Sequence, residues 1–415
     1  MAKFGIALGS GPRGLGFESR YSDQKKKLTR RVGFLLYLRQ MEIYKMGKRL
    51  KEFIAKETVL CIAALCAALT MILVPPDAEY LGYIDFRVLC LLLCLMGVVA
   101  GFKSVGAFQW LTYQLLSRIR SGRVLGLTLV LLPFFCSMLV TNDVALLVFV
   151  PFTLALLSQL GCGGCIIPVI VLQTIAANLG SMATPVGNPQ NLFLYAAYEL
   201  SAVEFFSVTL PLTGISLASL AAAAYLVLPK QLPRQRLNRE EISSVRNLLI
   251  YVVLFAVCML TVFRVVPYPV TTVIIVATLL ILDRRLLKEI DYMLLITFVC
   301  FFVVSENLGR VEGIRNFLQM LLSRGTLVTA VGTSQIISNV PAAVLLSGFT
   351  EHWRELLAGV NIGGLGTPIA SLASLITLKL YMRWPSASVM KFLGIFTAAN
   401  LAGLVILMGF AVLYY

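Results

Sequence analysis

The chain has 415 residues, 59% of them hydrophobic and 13% charged, with a net charge of +15 and a mean hydropathy of +0.87. Average soluble domains run near 45–50% apolar and about 25% charged, so one water-soluble core cannot absorb this composition. A soluble enzyme, a nucleic-acid binder and a disordered chain are excluded, and at about 20 apolar residues per crossing the surplus suits roughly ten membrane spans.

The positive charge is concentrated at the start. Residues 1–56 hold 14 Lys/Arg against 4 Asp/Glu, which by the positive-inside rule keeps this segment in the cytoplasm, where it can also meet anionic lipid. Residues 1–40, with Gly-Ser-Gly-Pro-Arg-Gly at 9–14 and Lys25-Lys26-Lys27, resemble translated upstream DNA. The natural start is expected at Met41 or Met46. The first apolar run, 59–74, ends at Pro75-Pro76 without a small-residue cleavage site and reads as an anchor.

Further apolar runs follow at 84–102, 124–140, 144–160, 165–198, 205–228, 247–266, 270–282, 292–305, 325–348, 365–381 and 390–414. The polar linker 229–246 divides them into a first repeat, 57–228, and a second, 247–415, that carries one extra leading helix. Arg118, Arg120 and Arg123 mark another cytoplasmic loop, as do Asp283-Arg284-Arg285 and Arg383. All nine cysteines fall in or beside apolar runs, where a thiol behaves as a small hydrophobe. Cys162-Gly-Gly-Cys165 reads as a tight turn between helices rather than a metal or redox pair. His352, the single histidine, lies in a polar loop.

Two pieces of the 325–348 run, 327–337 and 340–348, are too short to cross about 30 Å of hydrocarbon. Joined at Ser338-Asn339 they can dip to the midplane and return, provided the exposed backbone lines a polar cavity. The two halves also repeat each other. Ser137-Met-Leu-Val-Thr141-Asn142-Asp143 matches Ser334-Gln-Ile-Ile-Ser338-Asn339, with hydroxyls four apart on one helix face. Asn178-Leu-Gly-Ser-Met-Ala-Thr-Pro-Val-Gly-Asn188 matches Asn361-Ile-Gly-Gly-Leu-Gly-Thr-Pro-Ile-Ala-Ser371. Counting crossings from a cytoplasmic start flips the second copy and leaves the carboxy terminus outside. The expected fold is therefore an all-α polytopic membrane protein of two inverted-topology repeats, each with a re-entrant hairpin and a broken transmembrane helix.

Gly180, Ser181, Thr184, Gly187, Asn188 and Asn191 interrupt the 165–198 run, and Gly363, Gly364, Thr367 and Ser371 do so in the mirror half. Broken helices expose carbonyls that suit cations and helix amino termini that favour anions. With Ser137, Thr141, Asn142, Ser334, Ser338 and Asn339 at the hairpin tips, the pattern describes an oxygen-rich cage. The bland alternative is close helix packing at small residues. Asp143 has two readings: a solvated turn between two full spans, or a hairpin tip facing the site, where it can ligate a cation or carry a proton. Symmetry with the short second hairpin favours the latter. Glu199, Glu204, Glu306 and Arg264 are expected near span ends.

At these residues the sequence resembles the ion transporter superfamily, which includes divalent-anion:sodium symporters, citrate carriers and arsenite permeases. Gly187-Asn-Pro-Gln-Asn191 is similar to the cation loop of the symporters, and Ser338-Asn339 to their Ser-Asn-Thr tip. Thr141-Asn142-Asp143 and Gly366-Thr-Pro-Ile-Ala-Ser-Leu-Ala373 resemble arsenite permeases instead. The resemblance implies an elevator-type carrier with two Na⁺ or H⁺ sites flanking an anion, and it suggests a homodimer. Transient Na⁺ would fall at Thr141, Asn142 and Gly180, and at Ser338, Asn339 and Gly364. Asp143 and Val340 stand where the symporters place Thr. The reading is thus a cell-membrane carrier of a small anion with no cofactor beyond a coupling ion, and the alternative is a sodium/proton antiporter using Asp143. An intramembrane hydrolase lacks an activated nucleophile, a channel would need a continuous pore, and a scaffold would leave the buried hydroxyl and amide repeats unexplained.

Overall fold

The computed structural model of the chain describes residues 57–117, 119, 121–228 and 241–415, with Met41, Lys48, Lys51, Phe53 and Ile54. Nearly all of the basic segment 1–56, the linker residues 229–240, Arg118 and Arg120 lie outside the described residues. Residues 1–62 and 63–415 form two compact units, and every regular element among the described residues is helical.

The first half runs α1 (Thr58–Leu73), α2 (Phe86–Ser104), α3 (Ala107–Leu116), α4 (Gly122–Cys136), α5 (Asn142–Gln159), α6 (Gly163–Ser181), α7 (Pro189–Ala197) and α8 (Ala202–Val227). After the linker come α9 (Val245–Val262), α10 (Tyr268–Asp283), α11 (Tyr292–Arg310), α12 (Glu312–Arg324), α13 (Thr326–Ile337), α14 (Asn339–Ser347), α15 (Trp353–Ile362), α16 (Leu372–Met382) and α17 (Val389–Tyr414). Seven helices among the described residues are long and apolar enough to cross a membrane. Their outward faces carry large apolar side chains such as Leu226, 75% exposed, and Leu413, 89% exposed. In water that would be an aggregating surface, so these faces meet lipid.

The local chemistry explains the element ends. Asp85 and Asp291 accept from Val88 N and Leu294 N and so cap α2 and α11. Ser201 and Glu204 form a reciprocal capping box at α8, which places Glu204 at a helix end as expected. Arg264 donates to Glu199 O at 2.9 Å, joining two loops. Arg310, 2.7 Å from Asp77, hydrogen-bonds to that carboxylate and holds it below the usual range. Cys162 and Cys165 occupy the turn from α5 into α6, with Cys165 N donating to Cys162 O.

Three helices escape the apolar-run reading, one of them α15, which lies between the runs 325–348 and 365–381. The short α3 follows Val105 and the left-handed Gly106. The amphipathic α12 is joined to α11 through Val311 alone and to α13 through Gly325. Its low hydrophobicity hid it, because only one face is apolar. The run read as 365–381 is likewise corrected: its helix α16 begins at Leu372, and the preceding residues belong to the interruption that follows α15.

Each half has the same succession of two helices meeting at a tip and then an interrupted helix. The second tip is Ser338, at φ +75° and ψ 155°, a region almost reserved for glycine. Close approach is the other device. A Cβ on Gly180 would stand 2.1 Å from Phe134 O, and one on Gly363 would stand 2.7 Å from the Ser334 side chain. Only glycine lets each interrupted helix touch its hairpin.

Three outcomes follow for unfolding in mixed micelles. Gly180→Ala should destabilise by about 1–3 kcal/mol through overpacking. Gly214→Ala, inside α8 with open space around it, should stabilise by about 0.5–1 kcal/mol. Ser338→Gly should stabilise by about 1 kcal/mol as backbone strain is released; no gain would show that this tip is relaxed.

Candidate functional site

Four backbone interruptions come together in the second compact unit: tip 1 (137–141), break A (182–188), tip 2 at Ser338 and break B (363–371). Helices α5, α7, α14 and α16 start at these interruptions, and α4, α6, α13 and α15 end at them. Four amino-terminal sets of N–H groups and four carboxy-terminal sets of carbonyls therefore converge.

Within each half the hairpin holds the interrupted helix through the same bonds. In the first, Thr184 Oγ1 donates to Met138 O, and Asn142 N donates to Gly187 O at 3.3 Å. In the second, Thr367 Oγ1 donates to Gln335 O at 3.2 Å, and Asn339 N donates to Ala370 O at 3.0 Å. Ser137 and Ser334 return their hydroxyls to Phe134 O and Ala330 O and stay buried under Gly180 and Gly363. Ser338 Oγ adds a bond to Ala370 O at 3.3 Å.

Between halves the bonds are reciprocal. Ser371 Oγ donates to Asn178 Oδ1 at 3.0 Å, and Asn188 Nδ2 donates to Asn361 Oδ1 at 3.3 Å. In the motif alignment Ser371 corresponds to Asn188 and Asn361 to Asn178, so each partner of one pair is the counterpart of a partner in the other, as around a two-fold axis. Asn142 Nδ2 donates to Asn178 Oδ1 at 2.9 Å, and Asn178 Nδ2 reaches Gly364 O at 3.4 Å. Asn361 Nδ2 donates to Asn191 Oδ1 at 2.7 Å, and Asn188 Nδ2 reaches Ser181 Oγ at 3.1 Å. Asn339 packs its amide against Gly364. These groups are buried, where an unbonded amide or hydroxyl is costly, so the network fixes the geometry of all four interruptions.

The structure therefore brings Ser137, Thr141, Asn142, Gly180, Ser181, Thr184, Gly187, Asn188, Asn191, Ser334, Ser338, Asn339, Gly363, Gly364 and Ser371 to one place. Two residues stand off it. Thr367 is exposed on the outer side of break B, with both N–H and hydroxyl engaged by Gln335. Asp143 lines an adjoining cavity of about 310 Å³, together with Thr141, Val186, Pro189, Leu92, Lys103 and Asp291. Its Oδ1 is buried without a hydrogen-bond partner. Asp143 is half-buried in the first turn of α5, and the adjoining Asn142 N is tied to Gly187 O in break A. No group of three or more His, Cys, Asp or Glu able to hold a metal occurs among the described residues.

Three residues central to the network are absent from the sequence-based set of binding residues. Asn178 and Asn361 open the repeated motif, and that repetition was an available signal. Gln335 lies one residue after Ser334, and nothing in its neighbourhood reveals that its amide spans break B.

Comparison with known proteins agrees with this architecture. Residues 49–351 match the citrate transporter family. An uncharacterized transporter of Methanocaldococcus jannaschii is 35% identical over 274 residues, covering 66% of this chain and 75% of that one. The inner membrane protein YbiR of Escherichia coli is 30% identical over 303 residues, covering 72% and 80%. A silicon efflux transporter of Oryza sativa subsp. japonica is 33% identical over 151 residues, covering 36% and 30%. Match and relatives describe a membrane carrier rather than an enzyme, and the chain belongs to the citrate transporter family.

Proposed function

We propose that this transporter is a secondary active carrier of a small anion, an inorganic oxyanion or carboxylate, coupled to Na⁺ or H⁺ and working by elevator-type alternating access. The observation that carries the proposal is the convergence of four helix amino termini and four helix carboxy termini on one buried network. Amino termini carry partial positive charge and bind anions; carboxy termini carry partial negative charge and favour cations. No Lys or Arg occurs in residues 134–143, 178–191, 334–341 or 361–374, so the attraction for an anion comes from backbone dipoles. Such a site is occupied most favourably when anion and cation enter together. One relative is named as a silicon efflux transporter, which accords with a small inorganic solute.

The repeats are proposed to be inverted, with the amino terminus cytoplasmic and the carboxy terminus outside. Reciprocal bonding of the two motifs supports a two-fold relation. Loop contacts support the sidedness. Arg123 over the Tyr225 ring, Lys103 beside Glu289 and Ser243 N on Val105 O each join segments assigned to the cytoplasm. Arg310 with Asp77, Arg264 with Glu199 and Tyr198 with Ser347 join segments assigned to the other face.

A second reading, a sodium/proton antiporter with Asp143 as shared carrier, is favoured by the buried and unpartnered Asp143 Oδ1 beside break A. Uptake separates the two. In proteoliposomes, citrate, dicarboxylates, sulfate, arsenite and silicate are offered under an imposed Na⁺ or pH gradient. The carrier reading expects one of them to accumulate. Exchange of Na⁺ for H⁺ with no solute moved would select the antiporter. Indifference to both gradients would reject both.

Asn142→Ala and Asn339→Ala should each reduce that uptake at least tenfold while leaving folded protein in the membrane, as judged by an unchanged size-exclusion profile. Unaltered uptake in both variants would remove the tips from the site.

A further inference from the structure

Besides Ser338, two described residues other than glycine hold a left-handed backbone: Glu199 at φ +51° and Arg264 at φ +63°. Each ends a helix. After α7, Leu200 N donates to Tyr195 O and Glu199 N to Ala196 O; after α9, Val265 N donates to Leu260 O and Arg264 N to Thr261 O. These are two copies of one helix stop, whose left-handed position glycine usually fills. A glycine at 264 would be relaxed there, so the strain is carried by a side chain with a use elsewhere.

That side chain reaches the other stop. Arg264 Nη1 donates to Glu199 O at 2.9 Å and Nη2 to Tyr195 O at 3.4 Å, with the guanidinium 5.7 Å above the Tyr195 ring. Tyr195 is buried and meets Phe205 edge-on at 5.7 Å, which fixes the platform. A cation at the carbonyl end of α7 offsets the partial negative charge there. Both acceptors are backbone carbonyls, so the bonds do not depend on the Glu199 carboxylate. A planar fork spans the two oxygens, which a lysine ammonium does not reproduce.

The contact crosses a boundary between groups of helices. α9 packs on α2 and α10, whereas α7 starts at break A and packs on α14 and α15. α2 also touches α7, so the groups meet beside this joint. Two softer contacts cross the same boundary: Phe193 against Phe302, with ring centroids 5.8 Å apart, and Ser305 Oγ donating to Val344 O at 3.1 Å. Apolar contact has no preferred direction, and a helical serine can return its hydroxyl to its own preceding turn. Arg264, by contrast, is held by two directed bonds and a ring.

We infer, resting on the alternating-access reading, that Arg264 is a latch between the α2–α9–α10 group and the helices of the four interruptions. Closed, it holds the end of α7 against the turn from α9 into α10. The stroke has to open it, and its strength sets how often the unloaded protein leaves the conformation described here.

The test uses the full chain in detergent and needs no transported solute. Nitroxides are attached through ketone-bearing residues at Val203 in α8 and Ile281 in α10, both exposed, which leaves the native cysteines untouched. Pulsed dipolar spectroscopy then reads the distance between the groups. Arg264→Gly keeps the helix stop and removes the fork; it should raise the population at a second distance roughly fivefold. Arg264→Lys should fall between Arg264→Gly and wild type. An unaltered distribution in Arg264→Gly, with an unaltered size-exclusion profile, would overturn the latch. Glu199→Gln should match wild type, because its carbonyl is the acceptor; a shift as large as that of Arg264→Gly would make the contact an ion pair and overturn the assignment. Uptake is scored separately. A second distance with no solute moved keeps the latch and counts against the transport reading, whereas uptake with an unaltered distribution removes the latch alone.

Discussion

A peptide group has nowhere to send an unpaired hydrogen bond in hydrocarbon. That constraint governs this molecule. Every interruption of a helix releases carbonyls and N–H groups that water would serve in a soluble protein. Here each set must be served by protein, and the most economical source is another interruption. Tip 1 therefore answers break A through Asn142 N and Gly187 O, and tip 2 answers break B through Asn339 N and Ala370 O. The two halves are then fastened by the asparagine and serine bonds around Asn178 and Asn361.

Such fastening has a structural cost that shows at particular residues. Gly180 and Gly363 accept no side chain, because their neighbours stand where a Cβ would be. Ser338 holds a backbone conformation that serine ordinarily avoids. These positions lie within one connected network, which is where strain is usually retained for function rather than lost. Elsewhere the fold follows the ordinary rules of caps, apolar outward faces and interfacial ion pairs.

Much of this was legible in the sequence, for identifiable reasons. The tip at Ser338-Asn339 announced itself because neither arm could cross the membrane, and the interruption after Ser181 did so because Gly and Pro crowd a long apolar run. The repeat exposed the second interruption even though the apolar run around it was drawn seven residues from where α16 begins. What could not be read was pairing. An amide such as Gln335 or Asn191 has the same local appearance whether it faces lipid, a helix or a loop carbonyl, and only the assembled chain decides. The bond from Asn142 N to Gly187 O, which ties the residue beside Asp143 to break A, was equally hidden in the sequence. Amphipathic α12 was invisible to a search for apolar runs because half its circumference is polar.

The joints of α3 and α12 carry a mechanical consequence. Each of these short helices leads from a long helix, α2 or α11, into a hairpin, and each has a glycine at one end: Gly106, at φ +74°, before α3 and Gly325 after α12. A rigid rod with a pivot converts sliding into rotation. Any displacement of a hairpin past its long helix is thus concentrated into torsion at one or two residues, leaving the interior asparagine bonds undistorted. Under the proposed elevator mechanism, stiffening Gly106 or Gly325 would slow the movement of the hairpins and leave the asparagine network unchanged.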